Sequence, residues 1–289
     1  MRRLASYIAL LLLTGVQPVA GYTTIDPAHK EAYGANTGWH DAGDPSHGVV
    51  IGQAYCSGYI YGANVGWIQL GDGTPLNGQA YQNNSATDFG VNHDGFGNLE
   101  GYAYGANIGW IRFEQTFGQP RVNLSTGKLT GYAWSANTGW IALDTAVAFV
   151  RTEIIDPGPD TDGDTIPDPW EYDQAGNLAL LQGDGADLDG DGSPDVEEYE
   201  AGTDPLDNSD YLRIVDFWVI GSSDWITWTA NPSRVYTLQV SEDLGDASPW
   251  IDAGDPIVPE AGPEISAEIV DVADTRRFYR VQADPPLAP

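Results

Sequence analysis

Apolar and polar positions alternate with period two over both ends of the chain, and a short acidic middle breaks the pattern. In GYAWS, Tyr132 and Trp134 fall on one face of a strand, while Gly131, Ala133 and Ser135 fall on the other. The motif recurs as AYGANTGWH from Ala32, IYGANVGWI from Ile60, AYGANIGWI from Ala103 and AWSANTGWI from Ala133. The longer stretches VNHDGFGNLEGYAYGANIGWI from Val91 and VNLSTGKLTGYAWSANTGWI from Val122 each read as strand, Gly-containing turn and second strand. One hairpin cannot hide two large rings, so neighbouring hairpins must associate. The pattern predicts an N-terminal β-hairpin repeat domain over residues 22–150. Irregular repeat spacing favours a curled sheet, barrel or small propeller over a solenoid. Asn137 and Gly139 suit a turn with positive φ. The Trp rings are read as core, with Trp134 and Tyr104 as candidates for exposure. The first copy ends in His40 instead of Ile, as an end cap would.

From Tyr211 onward the segments YLRIVDFWVI, WITWTA, RVYTLQV, ISAEIVDV and RRFYRVQA are β-branched and aromatic, separated by turn residues. They predict a C-terminal small antiparallel β-sandwich over 211–289 with a frayed tail, ADPPLAP. The fold class is therefore mainly β, with an acidic linker carrying short helices at 156–210.

That linker holds ligand spacing. Asp187, Asp189, Asp191, Gly192, Asp195 and Glu198 occupy positions 1, 3, 5, 6, 9 and 12 of a twelve-residue calcium loop, and Ser193 offers its carbonyl at position 7. Gly192 permits the sharp turn that brings alternate carboxylates inward. Ser193-Pro194 suits the start of a helix, and Gly202 and Pro205 its end. Carboxylates about 4 Å apart repel by roughly 4 kcal/mol per pair at a surface-like dielectric, so five in one loop call for a divalent cation. A second copy lies upstream: Asp160, Asp162, Asp164, Asp168 and Glu171, with Ile166 at the carbonyl position and Thr165 where Gly belongs. Oxygen-only donors favour Ca2+ over zinc or copper. Pro167 and Pro194 sit near the point where paired loops of this kind join through a strand, so the two are expected to act independently.

The segments DTDGDTIPDPWE and DLDGDGSPDVEEYEAGTDP resemble the thrombospondin type 3-like acidic repeats of bacterial exported proteins and, more distantly, dockerin loops. The resemblance implies structural calcium sites in a rigid spacer, with the ten acids named above as side-chain ligands. The passage from acidic repeat into YTLQVSEDL and RRFYRV is similar to bacterial surface proteins. The Gly-Tyr-Ala-Trp and Asn-x-Gly-Trp repeats resemble segments of exported proteins and imply no activity.

Composition narrows the partners. A formal charge of −30 leaves no basic stripe for nucleic acid or an anionic membrane. Arg2 and Arg3, an apolar run from Leu4 to Val16 and small residues to Gly21 have the form of a signal peptide over 1–21, too short to span a membrane comfortably. The expected location is secreted or cell-surface, with no membrane span once the signal is removed. The single Cys56 cannot form an internal disulfide and reads as a small buried residue. The four His residues show no metal spacing, no nucleophile elbow is present, and His93-Asp94 reads as a solvated pair in a surface turn, so no catalytic site is expected. The expected role is that of a calcium-stabilised structural or adhesive protein whose partners are calcium, extracellular polysaccharide or surface proteins. The alternative is a carbohydrate-binding module using the repeat Trp and Tyr residues.

Overall fold

The computed structural model describes residues 22–183, 185–244, 249–260, 262–269 and 277–289. Residues 1–21, where a signal peptide is expected, lie outside the described residues. Strands β1 (Ile25–Gly34), β2 (Gly38–Asp41), β3 (Val50–Ile51), β4 (Cys56–Gly62), β5 (Gly66–Gly71), β6 (Val91–His93), β7 (Leu99–Gly105) and β8 (Gly109–Phe113) come first. They are followed by β9 (Arg121–Val122), β10 (Leu129–Thr130), β11 (Tyr132–Ser135), β12 (Gly139–Ala142) and β13 (Val150–Thr152). Two short helices, α1 (Asp168–Gln174) and α2 (Asp195–Ala201), occupy the acidic region. The C-terminal part adds β14 (Ile214–Ile220), β15 (Ser223–Thr229), β16 (Val235–Ser241), β17 (Ile251–Asp252), β18 (Glu264–Ile269) and β19 (Phe278–Asp284).

Each repeat is one hairpin: β1–β2, β4–β5, β7–β8 and β11–β12. Successive hairpins pair side by side, and β12 returns to β1, so the eight strands close into a barrel-like ring. Closure removes the edges that four separate hairpins would expose. His40 therefore caps no end. It takes the Ile position inside the ring, 1% exposed, with Nε2 2.7 Å from the Thr37 hydroxyl.

The interior is built from cross-strand pairs of modest size: Ala32 with His40, Ile60 with Ile68, Ala103 with Ile111, and Ala133 with Ile141. They leave only about 20 Å³ of free space. A narrow ring of short strands has no room for indoles, so the period-two alternation sends every repeat Trp outward. Trp39, Trp67, Trp110 and Trp140 are 41–45% exposed, which corrects their assignment to the core. Each packs across its hairpin on Tyr33, Tyr61, Tyr104 or Trp134, with ring centroids 4.8–4.9 Å apart and planes tilted by 57–58°. Aromatic pairs of this kind contribute about 0.5–1.5 kcal/mol each beyond area burial.

The turn explains the rest of the motif. Gly38, Gly66, Gly109 and Gly139 adopt φ of 75–85°, whereas Asn137 does not have positive φ. The Asn has another task. Asn64 Nδ2 donates to the Thr37 carbonyl, Asn107 to Val65, Asn137 to Ile108 and Asn36 to Thr138, all at 3.0 Å. Each repeat thus ties its turn to the preceding one, and the fourth ties to the first.

The C-terminal part contains two three-stranded antiparallel sheets, β14-β15-β18 and β17-β16-β19. Ile226, Trp228, Tyr236, Leu238, Ile269 and Ala283 from both sheets share one core. The expected sandwich is present. The tail is not frayed: Leu287 packs against the barrel core, and its carbonyl accepts from Ile155 N–H at 3.0 Å.

Candidate metal centres

The two acidic loops carry the same internal wiring. Asp160 accepts from Gly163 N–H at 2.7 Å and Thr165 N–H at 3.0 Å. Asp187 accepts equivalently from Gly190 at 2.8 Å and Gly192 at 3.0 Å. Asp164 accepts from Ile166 N–H and Asp191 from Ser193 N–H. Asp168 reaches back to Thr161 N–H at 2.7 Å, and Asp195 to Leu188 N–H at 2.9 Å. Backbone donors therefore curl each chain around its first Asp. Gly163, Gly190 and Gly192 supply left-handed backbone at φ of 79°, 78° and 104°. Thr165 takes φ 82° in the first loop, so that loop adopts the turn with a side chain that disfavours it.

Each loop runs into its helix at a proline. Pro167 and Pro194 are the N-caps of α1 and α2, and neither helix has a side-chain cap bond. Ser193 is thus not a capping side chain. Gly202 ends α2 at φ 72°.

Donor atoms of Asp160, Asp162 and Asp168 lie within 4.8 Å of one another, as do those of Asp162, Asp164 and Glu171, and those of Asp187, Asp189 and Asp191. Such groups could hold a metal ion. Glu171 and Glu198, each 0% exposed, lie at the twelfth positions. Both carboxyl oxygens of Glu171, Oε2 of Glu198, and one oxygen each of Asp189 and Asp191 are buried without a hydrogen-bond partner. Burial, followed by the charges of Asp162 and Asp164, pushes the Glu171 carboxyl up to about 8. Burial, then Asp189 and Asp191, does the same to Glu198, also to about 8. Asp162 and Asp189 are also raised, chiefly by desolvation. Buried, unpartnered acceptors facing further acids are costly unless a cation or protons neutralise them. The donors are all oxygen, which fits a hard divalent cation.

Asp168 and Asp195 each bond to an amide seven residues back, whereas Asp160 and Asp187 bond to amides within the turn that follows them. Both oxygens of Asp195 accept backbone N–H groups, from Leu188 and Gln182, and Asp168 binds both the amide and the hydroxyl of Thr161. They brace their loops. Ile166 and Ser193 hold the carbonyl positions, and the Ile166 side chain is fully buried with Leu181 and Tyr199. That small core joins the loops, as does Gln182-Gly183: the Gln182 N–H binds Asp195, and the Gly183 N–H binds Asp164 at 2.9 Å. The loops therefore share a packed frame without an inter-loop strand among the described residues.

No family model, curated protein or solved structure matches this chain.

Sequence reasoning missed how α2 is gripped. Arg234, 6% exposed, donates to the Tyr199 carbonyl at 2.6 Å and the Glu200 carbonyl at 3.0 Å. Asn231 Nδ2 binds the Gly202 carbonyl, and Tyr236 OH binds that of Ala201. Sandwich side chains thus satisfy the helix C-terminus, where a cation is also favoured by the helix dipole. From the other side, Tyr199 OH exchanges hydrogen bonds with the Gln53 side chain, and Gln79 binds Asp173. Arg234 is one of ten Arg residues in the chain, and no local pattern around it marks the contact. His93 was also misread: it is 4% exposed, with Nδ1 at 2.8 Å from the Gly52 carbonyl and Nε2 accepting Gly97 N–H. Cys56 is fully buried, its thiol pushed up to about 12 by desolvation.

Proposed function

We propose that this is an exported calcium-stabilised structural or adhesive protein, in which two Ca2+ sites set the geometry between an aromatic barrel and a β-sandwich. The observation that carries the reading is the pair of fully buried carboxylates, Glu171 with neither oxygen partnered and Glu198 with Oε2 unpartnered, each facing a cluster of Asp residues. Asp160, Asp162, Asp164 and Glu171 would hold one ion with the Ile166 carbonyl. Asp187, Asp189, Asp191 and Glu198 would hold the other with the Ser193 carbonyl. Asp168 and Asp195 would maintain the loop shape. Bound calcium offsets the mutual repulsion of these acids, and extracellular calcium modules work at roughly 10⁻⁴–10⁻³ M, which suits permanent stiffening.

Calorimetric titration of the whole chain with Ca2+ tests the reading. Two binding events are expected, and Glu198→Gln should remove or weaken one of them by at least about tenfold. Small-angle scattering with calcium and with chelator adds the mechanical test. Absence of binding heat together with unchanged scattering would reject the role.

A second reading follows from the outward rings. The Tyr and Trp pairs on the barrel exterior offer apolar faces to neutral polysaccharide, with Gln69 lying between Tyr59 and Tyr104 as a polar partner. A glycan array with Trp67→Ala and Trp110→Ala variants distinguishes it: retention lost with one ring supports it, and no retention on any glycan removes it.

A further inference from the structure

We propose that β14 is the surface through which two copies of this chain associate, edge to edge and antiparallel, about a twofold axis at Phe217. Among the described residues β14 pairs only with β15, and no other described strand lies along its outer edge. Its sequence, IVDFWVI, leaves Ile214, Val215, Phe217, Val219 and Ile220 between 37% and 60% exposed. Phe217 lies opposite Ile226, and Val219 opposite Asp224, both buried on β15. These side chains thus belong to the inner face of the sandwich and overhang it. Tyr279 reaches Phe217 at a centroid distance of 6.1 Å, while Val219 stays 60% exposed. A long apolar edge of this kind templates pairing with another chain unless something guards it.

A second copy fits because the strand is self-complementary, as a twofold contact requires. Antiparallel pairing about Phe217 sets Ile214 against Ile220 of the other copy, Val215 against Val219, and Phe217 against itself. Electrostatics allow this despite a net charge of −30, since Asp216 is the strand's only charged residue and falls opposite Trp218. The Asp216 carboxylate accepts the Phe217 N–H at 2.8 Å in the single chain, a bond that pairing would exchange for one across the axis. A bulge between Ile214 and Asp216 confines regular pairing to the centre and leaves the flanking Val and Ile pairs as side-chain contacts. Complete burial of the five exposed side chains would remove at most roughly 500 Å² per copy, about 1,000 Å² in all, which is the floor for a specific interface.

Light scattering and sedimentation of the whole chain in calcium buffer, from about 1 to about 200 µM, provide the test; this is the range in which a small interface equilibrates. A concentration-dependent monomer–dimer equilibrium is expected. Val219→Lys should weaken it at least tenfold, and Ile220→Lys should do the same should the first variant melt early. Ile251→Lys, at an exposed apolar site on the other sheet, should leave it unchanged. A monomer throughout the range would overturn the proposal. So would a dimer that survives both β14 variants, or one abolished by Trp39→Ala on the barrel.

Discussion

Glu171 and Glu198 are fully buried acids whose carboxyls are pushed up to about 8 by burial first and by the neighbouring Asp charges second. A group raised in the folded state contributes stability that is fully present below its unfolded value, near 4.5, and is lost as pH rises through about 8. The chelated protein should therefore lose melting temperature between pH 5 and pH 8, while the calcium-loaded protein should not. The gap between the two melting curves is expected to widen with pH. Binding near pH 7 should also release protons, seen as a dependence of calorimetric heat on buffer ionisation enthalpy. Thr165 carries a separate prediction. Its φ of 82°, present in the ion-free chain, disfavours a β-branched side chain by about 1 kcal/mol, so Thr165→Gly should raise the melting temperature with and without calcium. The acids were legible because a ligand loop imposes fixed offsets. The bonds by which Asp168 and Asp195 reach back to Thr161 and Leu188 were not, because they depend on which backbone amides the folded loop brings near.

At the scale of elements, the hairpins were readable from Gly, Asn and alternating rings, but their sidedness was not. Period two places Trp67 opposite Ile68 without saying which face is inside. The small volume of a closed ring decides that. The Asn of each turn recurs because its amide ties adjacent hairpins. Asn107→Ala should break one of the four ties and cost about 1 kcal/mol, measured as a lower urea midpoint for the barrel. Asn107→Asp should not rescue it, since a carboxylate cannot donate to the Val65 carbonyl.

Across the whole molecule, the acidic region is wedged between barrel and sandwich, and the C-terminal tail returns to the barrel. Arg234 is the grip on the sandwich side. Arg234→Met would leave buried carbonyls of α2 unpaired and should cost about 2–3 kcal/mol, read from chemical unfolding followed by Trp fluorescence. The same variant should expose the 202–213 connection to protease even with calcium present. The sequence by itself determined the mainly β class, the repeat unit and the spacing of the acids, because each is a local constraint carried by neighbouring residues. Ring closure, outward Trp side chains, the braced acids and the clamp on α2 were decided only in three dimensions. Each depends on contacts between residues far apart in the chain, such as Asn36 with Thr138 or Gln53 with Tyr199, and no local pattern records such contacts.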